Sequence, residues 1–165
     1  MNRGIPDRPD ASRQRPLLVM LHGANLDLLG ERPAEHYGTV TLAELERSVR
    51  AEAEVLGWRC ECHQTNHEGE FIELVHRYRH SQALLVNPGA WTHYSYAIRD
   101  ALELVSAPVA EVHLSDVTQR EEWRRRSVIS DVATVTISGQ GPEGYLEAVR
   151  FLAKIASDGG PGVEA

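Results

Sequence analysis

Continuous apolar runs alternate along this chain with stretches in which apolar residues recur at helical spacing. That is the pattern of parallel strands buried on both faces and joined by crossover helices. Leu17 to Leu21 is the first such run. Thr41-Leu-Ala-Glu44 has the spacing of a capping box, and Leu42, Leu45, Val49, Ala53 and Leu56 then share a helical face until Gly57 ends it. Trp58 to His63 predicts a second strand. Thr65 or Asn66 can cap the next helix, which carries Phe71, Ile72, Leu74 and Val75. Ala83 to Val86 reads as a third strand, Ser95 to Val105 as a helix, Val109 to His113 as a fourth strand and Ala133 to Ile137 as a fifth. Pro142, suited to a first helical turn, opens the last helix.

Five strands with intervening helices imply an α/β chain with a flavodoxin-like, five-stranded parallel sheet and helices on both faces. The folded unit is expected over residues 16–156 as a single domain. Residues 1–15 and 157–165, rich in Pro, Gly and charge, read as flexible tails. No apolar run approaches the roughly 20 residues that span a bilayer, and the first stretch lacks the apolar core of a signal peptide. The expectation is a cytoplasmic protein with no membrane partner. Its 165 residues include 17 basic and 24 acidic ones, a net charge of −7 that weighs against a nucleic-acid partner held by overall charge. The sole lysine is Lys154, so Schiff-base chemistry would have to use that side chain. The only cysteines, Cys60 and Cys62, are too close in sequence for a bridge that closes a useful loop. They read as small packed hydrophobes in a reducing compartment.

In such sheets ligands bind beyond the carboxyl ends of the strands, so the polar residues just after each apolar run carry the candidate chemistry. They are His22-Gly-Ala-Asn25 with a loop reaching Tyr37, Asn87-Pro-Gly-Ala-Trp-Thr-His93, and Glu111-Val-His-Leu-Ser115 followed by Arg120 and Arg124. Other patterns have plainer readings. Gly139-Gln-Gly-Pro-Glu-Gly144 matches a dinucleotide fingerprint, but Pro142 removes a backbone donor and no later strand carries a ribose-binding acid, which favours a turn and helix start. Cys60 and Cys62 face one side of an extended strand and His63 the other, so zinc is disfavoured. His76 and His80 lack a third ligand and read as a solvated helix face. Arg124-Arg-Arg126 lacks aromatic interleaving for nucleic acid, but one of its planar forks could turn inward to grip an anion. Tyr37, in a loop with Gly30, Arg32, Pro33 and Gly38 suited to a mobile lid, is a candidate base if cations lower its pKa.

Taken together, Asn25-Leu-Asp-Leu-Leu-Gly30, Tyr37-Gly38, Asn66-His-Glu-Gly-Glu70, Asn87-Pro88, Thr92-His93, Arg99-Asp100 and Glu111-Val-His-Leu-Ser115 with Arg120-Glu121 carry a resemblance. The chain resembles the type II 3-dehydroquinate dehydratases over nearly its whole folded length, with these motifs in family order. The resemblance implies a flavodoxin-like fold, no metal or organic cofactor, and a homo-oligomer assembled as a dodecamer, a tetramer of trimers. It also implies a lyase that removes water in the anti sense from an anionic small molecule, 3-dehydroquinate, giving 3-dehydroshikimate through an enolate and without a Schiff base. By that likeness Tyr37 removes the α proton, Arg32 and Arg120 depress its pKa, and Asn25 positions a water that stabilises the enolate. His113 protonates the departing hydroxyl and Glu111 orients its ring. Ser115 and the main-chain N–H of Leu114 hold the carboxylate, Asn87, His93 and Arg124 bind substrate hydroxyls, and Asp100 reaches the site of a trimer neighbour.

The chemistry of those residue types agrees with these roles. Abstraction of a proton α to a ketone creates an oxyanion, which preorganised donors stabilise. His113 and Ser115 lie two apart and share a face of an extended strand end. The chain departs from the family pattern at His22 and Ala24, where Asn and Pro are usual, at Tyr94 in place of Thr, at Asp116 in place of Asn, and at Thr118 and Arg126, where histidines are common. The alternatives are a dehydratase of a related cyclic β-hydroxy ketone, such as an amino dehydroquinate of secondary metabolism, and a catalytically idle oligomer that binds a small anion. Asn66-His-Glu-Gly-Glu70 reads as a helix cap rather than a catalytic segment.

Overall fold

The first apolar run becomes β1 (Leu17–His22), flanked by β2 (Arg59–Gln64) on one side and β3 (Ala83–Asn87) on the other; β4 (Val109–His113) and β5 (Val135–Ser138) extend the sheet beyond β3. The computed structural model describes residues 15–158 of the chain, so nearly all of the first expected tail and most of the second lie outside the described residues. All pairings are parallel and the order is β2-β1-β3-β4-β5. This is the flavodoxin-like winding, with its topological switch point between β1 and β3.

The helices are α1 (Ala34–Tyr37), α2 (Leu42–Val55), α3 (Glu68–Tyr78), α4 (Tyr96–Glu103) and α5 (Pro142–Ser157). Because strand side chains alternate, Leu18 and Met20 face α2 and α5 with Leu45, Val49, Tyr145 and Leu152. Val19 and Leu21 face α3 and α4 with Phe71, Val75 and Ile98. Each of these side chains is 2 % exposed or less, and full burial stabilises a Leu, Val or Ile by about 1.5–3 kcal/mol. The central strands β1 and β3 are therefore apolar up to their last residue, and β4 is apolar except for Glu111 and His113.

Three elements differ from the sequence expectation. β2 is half-buried along its whole length, because it is an edge strand, packed against α2 on one face and touched only by Tyr78 at the end of α3 on the other. β5 starts at Val135 rather than Ala133, since Ala133 N–H bonds back to Ile129 and Thr134 N–H to Val109. At the start of α3 neither Thr65 nor Asn66 is the cap; His67 holds that position in extended backbone without a side-chain bond. The capping box of α2 is formed as read, with Thr41 Oγ1 accepting from Glu44 N–H and Glu44 Oε2 accepting from Thr41 N–H. Gly139 and Gly141 form a turn whose amides bond the carbonyls of His113, Ser115 and Leu114, and α5 starts at Pro142. The fingerprint-like segment thus supports the end of β4 from below.

Candidate active site

The loops after β1, β3 and β4 meet at the carboxyl edge of the sheet and enclose one cleft. It is lined by Asn25, Arg32 and Tyr37 from the first loop, Asn87 and His93 from the second, and His113, Leu114, Ser115, Arg120 and Arg124 from the third. Ten of the twelve residues singled out from the sequence are in this lining. Glu111 lies directly behind His113, and Asp100 is exposed on α4, outside the cleft of its own chain. Lys154, exposed on α5, is not among the lining residues.

Tyr37 stands between two guanidinium groups. Arg32 Nη2 donates to its hydroxyl oxygen at 2.7 Å and Arg120 Nη1 at 3.2 Å. The Arg32 guanidinium also lies 3.7 Å from the ring centroid, a cation–π contact that fixes the ring. Arg120 Nη1 reaches Ser115 Oγ at 3.3 Å, and Glu121 pairs with both Arg120 and Arg124. Burial, then the like charges of Arg124 and Arg120, hold Arg32 below its ordinary pKa, against the opposing pull of Tyr37. Three arginines thus gather at one corner, a field suited to an anionic ligand inside a protein of net charge −7.

The other corner is built on β4. Glu111 and His113 share a strand face, and Glu111 Oε1 lies 2.7 Å from His113 Nε2. The Glu111 carboxylate is fully buried, yet three hydroxyls surround it: Thr92 Oγ1 at 2.5 Å, Ser127 Oγ at 2.8 Å and Thr136 Oγ1 at 3.2 Å. Burial is the largest single influence and would raise its pKa, but the hydrogen bond and charge of His113, with the Thr92 and Ser127 hydroxyls, outweigh it and hold the carboxyl low. The carboxylate therefore stays ionised, fixes the imidazole, and leaves Nδ1 as the ring nitrogen not bonded to Glu111. His93 lies nearly parallel to His113 with ring centroids 6.3 Å apart, its Nδ1 against the Arg126 carbonyl at 2.7 Å. Burial holds His93 below the ordinary histidine value. The arrangement presents a phenol and an imidazole, each tied to its own charged partner, to one enclosed volume.

Asn25 adopts a left-handed backbone, φ 66°, and its N–H donates to Asn66 Oδ1 at 2.8 Å, while Asn66 Nδ2 donates to Asp27 Oδ2 at 3.0 Å. Asn66 is therefore a clamp on the Asn25 loop rather than a helix cap. Gly23 packs so tightly on Pro88 that an added Cβ would stand 2.2 Å from the Pro88 carbonyl oxygen, and one at Gly89 (φ +66°) would stand 2.7 Å from the Ala24 oxygen. The two loops interlock through these glycines. Asn87 is held at both ends of its amide, donating to Tyr145 Oη at 2.7 Å and accepting from Gly89 N–H at 3.1 Å. The sequence predicts no site role for Thr92, Ser127, Thr136 or Tyr145, and for Asn66 only a helix cap. Hydroxyls scattered over separate elements carry no spacing signal, and only the fold unites them.

Most departures from the family pattern point away from the cleft. His22 is fully buried behind Asn87, its ring 5.6 Å from that of Tyr145, and burial pushes its pKa down to about 3. Asp116 Oδ1 accepts from Thr118 N–H and Oγ1, closing a turn. Tyr94 is 57 % exposed, and Arg126 Nη2 donates to Tyr96 Oη. Only Ala24 lines the cleft.

A doubly wound α/β sheet with an arginine-rich acid–base cleft at its switch point defines a small-molecule enzyme of the proton-transfer type. The chain matches the family described as dehydroquinase class II over residues 16–153. It is 46% identical over 140 residues to a 3-dehydroquinate dehydratase of Pelotomaculum thermopropionicum, covering 84% of this chain and 97% of that protein. Among solved structures, a type II dehydroquinase from Propionibacterium acnes superposes with a TM-score of 0.81 at 38% identity, over 84% of this chain and 96% of that one. Another from Butyrivibrio crossotus gives 0.82 at 38% identity, over 84% and 98%. The chain belongs to the class II dehydroquinase family.

Proposed function

We propose that this chain is a 3-dehydroquinate dehydratase acting through an enolate. The single observation that carries the reading is the pairing of Tyr37 with two guanidiniums in the same cleft as a His113 fixed by a buried carboxylate. Two cationic donors hold the phenol oxygen in place to take the α proton. The ketone oxygen then gains charge, which a water held by Asn25 stabilises. His113 gives a proton to the departing hydroxyl, and Glu111 holds its ring in orientation. Ser115 and the Leu114 N–H take the substrate carboxylate, and Asn87, His93 and Arg124 its hydroxyls.

The position of the departures favours this reading over a dehydratase of an altered substrate, because three of the side chains in question are buried behind the cleft, tied into a turn or exposed outside it. An idle anion binder would need neither base nor acid. We further propose a cytoplasmic dodecamer of four trimers, in which Asp100 enters a neighbour's cleft. The exposure of Tyr94, Tyr96 and Leu104 on and around α4 supports a covered face there. Light scattering on a sizing column tests this assembly, twelve chain masses being the expected result and a monomer the contrary one.

The activity is tested by mixing purified protein with 3-dehydroquinate and following the ultraviolet absorbance of the conjugated enone. Absorbance should rise; a flat trace at high enzyme concentration overturns the reading, and reaction only with an amino analogue replaces the substrate. Borohydride added with substrate should leave no adduct on Lys154.

A further inference from the structure

Cys60 and Cys62 stand apart from the cleft, on the edge strand β2, and their arrangement has chemistry of its own. Both side chains leave the strand on the face that packs against α2, with Arg50 Nη1 donating to the Cys60 carbonyl at 2.7 Å. His63 turns to the other face, where its ring meets Tyr78 at 5.0 Å. The two thiols are half-buried and their sulfurs lie 3.7 Å apart.

That distance separates the candidate reactions. A disulfide needs about 2.05 Å between sulfurs. Residues two apart in a strand have Cα atoms about 6.6 Å apart, near the limit of about 6.8 Å for a bridge. Closing one would bend β2 out of its register with β1, where Cys60 pairs with Leu18 and Cys62 with Met20. A linear two-coordinate soft ion with bonds of about 2.3 Å would hold its sulfurs about 4.6 Å apart, whereas a bent centre with near-tetrahedral angles holds them at about 3.4–3.8 Å. The pair is spaced for the bent centre. Among the described residues no group of three or more His, Cys, Asp or Glu could hold a metal ion, so a four-ligand zinc site is not available. The ligand must therefore need only two protein sulfurs and bring its remaining substituent itself.

We propose that Cys60 and Cys62 form a bidentate dithiol site for a monosubstituted trivalent arsenical of the type R–As(OH)₂. Each thiol gives its proton to an arsenic-bound hydroxyl, two As–S bonds replace two As–O bonds, and two waters leave; arsenic stays trivalent and no oxidant is consumed. The hydrogen bond from Cys62, with the Arg50 charge helping, lowers the Cys60 thiol, whereas the same bond and burial raise Cys62. Cys60 attacks first and Cys62 closes the chelate.

Intact-mass spectrometry of the full chain treated with phenylarsine oxide tests this directly, because the chain has only 2 cysteines. The wild type should gain one phenylarsenic, less two hydrogens, per chain; the adduct should survive excess monothiol and be removed by a dithiol. Cys60→Ser and Cys62→Ser, checked for a wild-type thermal transition, should each lose the monothiol-resistant adduct, with apparent affinity down about 100-fold or more. Absence of the resistant adduct from wild type with two titratable thiols, its persistence in either serine variant, or isolation of the chain with the sulfurs already joined overturns the proposal.

Discussion

Glu111 and His113, two residues apart on β4, meet through a 2.7 Å contact between a fully buried carboxylate and one imidazole nitrogen. The carboxylate is held low against burial by His113 itself and then by the Thr92 and Ser127 hydroxyls, so the orientation of His113 also depends on residues that do not line the cleft. Glu111→Gln should lower kcat about 100-fold with little change in KM, which steady-state kinetics will show. Ser127→Ala removes a donor to the carboxylate, so the Glu111 pKa rises. The acid limb of the rate profile should then move to higher pH, with a loss worth about 1–3 kcal/mol. An unchanged acid limb would remove Ser127 from the clamp.

At the opposite corner, Tyr37→Phe keeps the ring under Arg32 but removes the oxygen that both guanidiniums address. Turnover should fall about 10²–10⁴-fold, while a product analogue binds as before by calorimetry. Arg32→Lys should be nearly as harmful to kcat, because an ammonium cannot both stack on the ring and donate to the hydroxyl from a planar fork.

Gly23 is not among the residues that line the cleft, but its missing Cβ is what lets the first loop sit on Pro88. Gly23→Ala must push the two loops apart, a change that costs about 1–3 kcal/mol or more. Denaturant unfolding should show the loss, and turnover should fall with it because Asn25 and Asn87 shift together.

His22 is buried neutral, pushed down to about 3 from an ordinary value near 6.5, and neither ring nitrogen has a hydrogen-bond partner among the described residues. Between those two pH values the unfolded chain binds a proton that the folded chain refuses. Stability from this residue is therefore complete above about pH 6.5 and falls as the pH drops, by up to about 1.4 kcal/mol per unit. His22→Phe keeps a ring against Tyr145 and should reduce the acid slope of the unfolding free energy by about one proton. Parallel slopes for the two proteins would refute it.

The central strands and the helices that cover them were legible because burial on both faces leaves uninterrupted apolar runs, as at Ala83 to Val86. The edge position of β2 was not, since alternation of Arg59, Glu61 and His63 with Cys60 and Cys62 marks one packed face but does not say whether both edges are paired. Tyr37, Asn87, His93, His113 and Arg124 could be collected from the sequence by the rule that places ligands after strand ends. The support behind them could not. Asn66 looked like a cap because its residue type favours caps, and only the approach of the β1 loop shows that its amide serves Asn25 instead.

The cleft has one interlocked wall and one that is largely exposed. The interlock of Gly23 with Pro88 and of Gly89 with Ala24 joins two of its three loops, whereas the segment from Gly30 to Gly38, both with positive φ, is largely exposed. Arg32 and Tyr37 ride on that segment together, so any outward swing takes the phenol and its nearest cation away as one piece and parts them from Arg120. In the proposed reaction the base is complete only in the arrangement seen here, with Arg32 and Arg120 both at the Tyr37 hydroxyl.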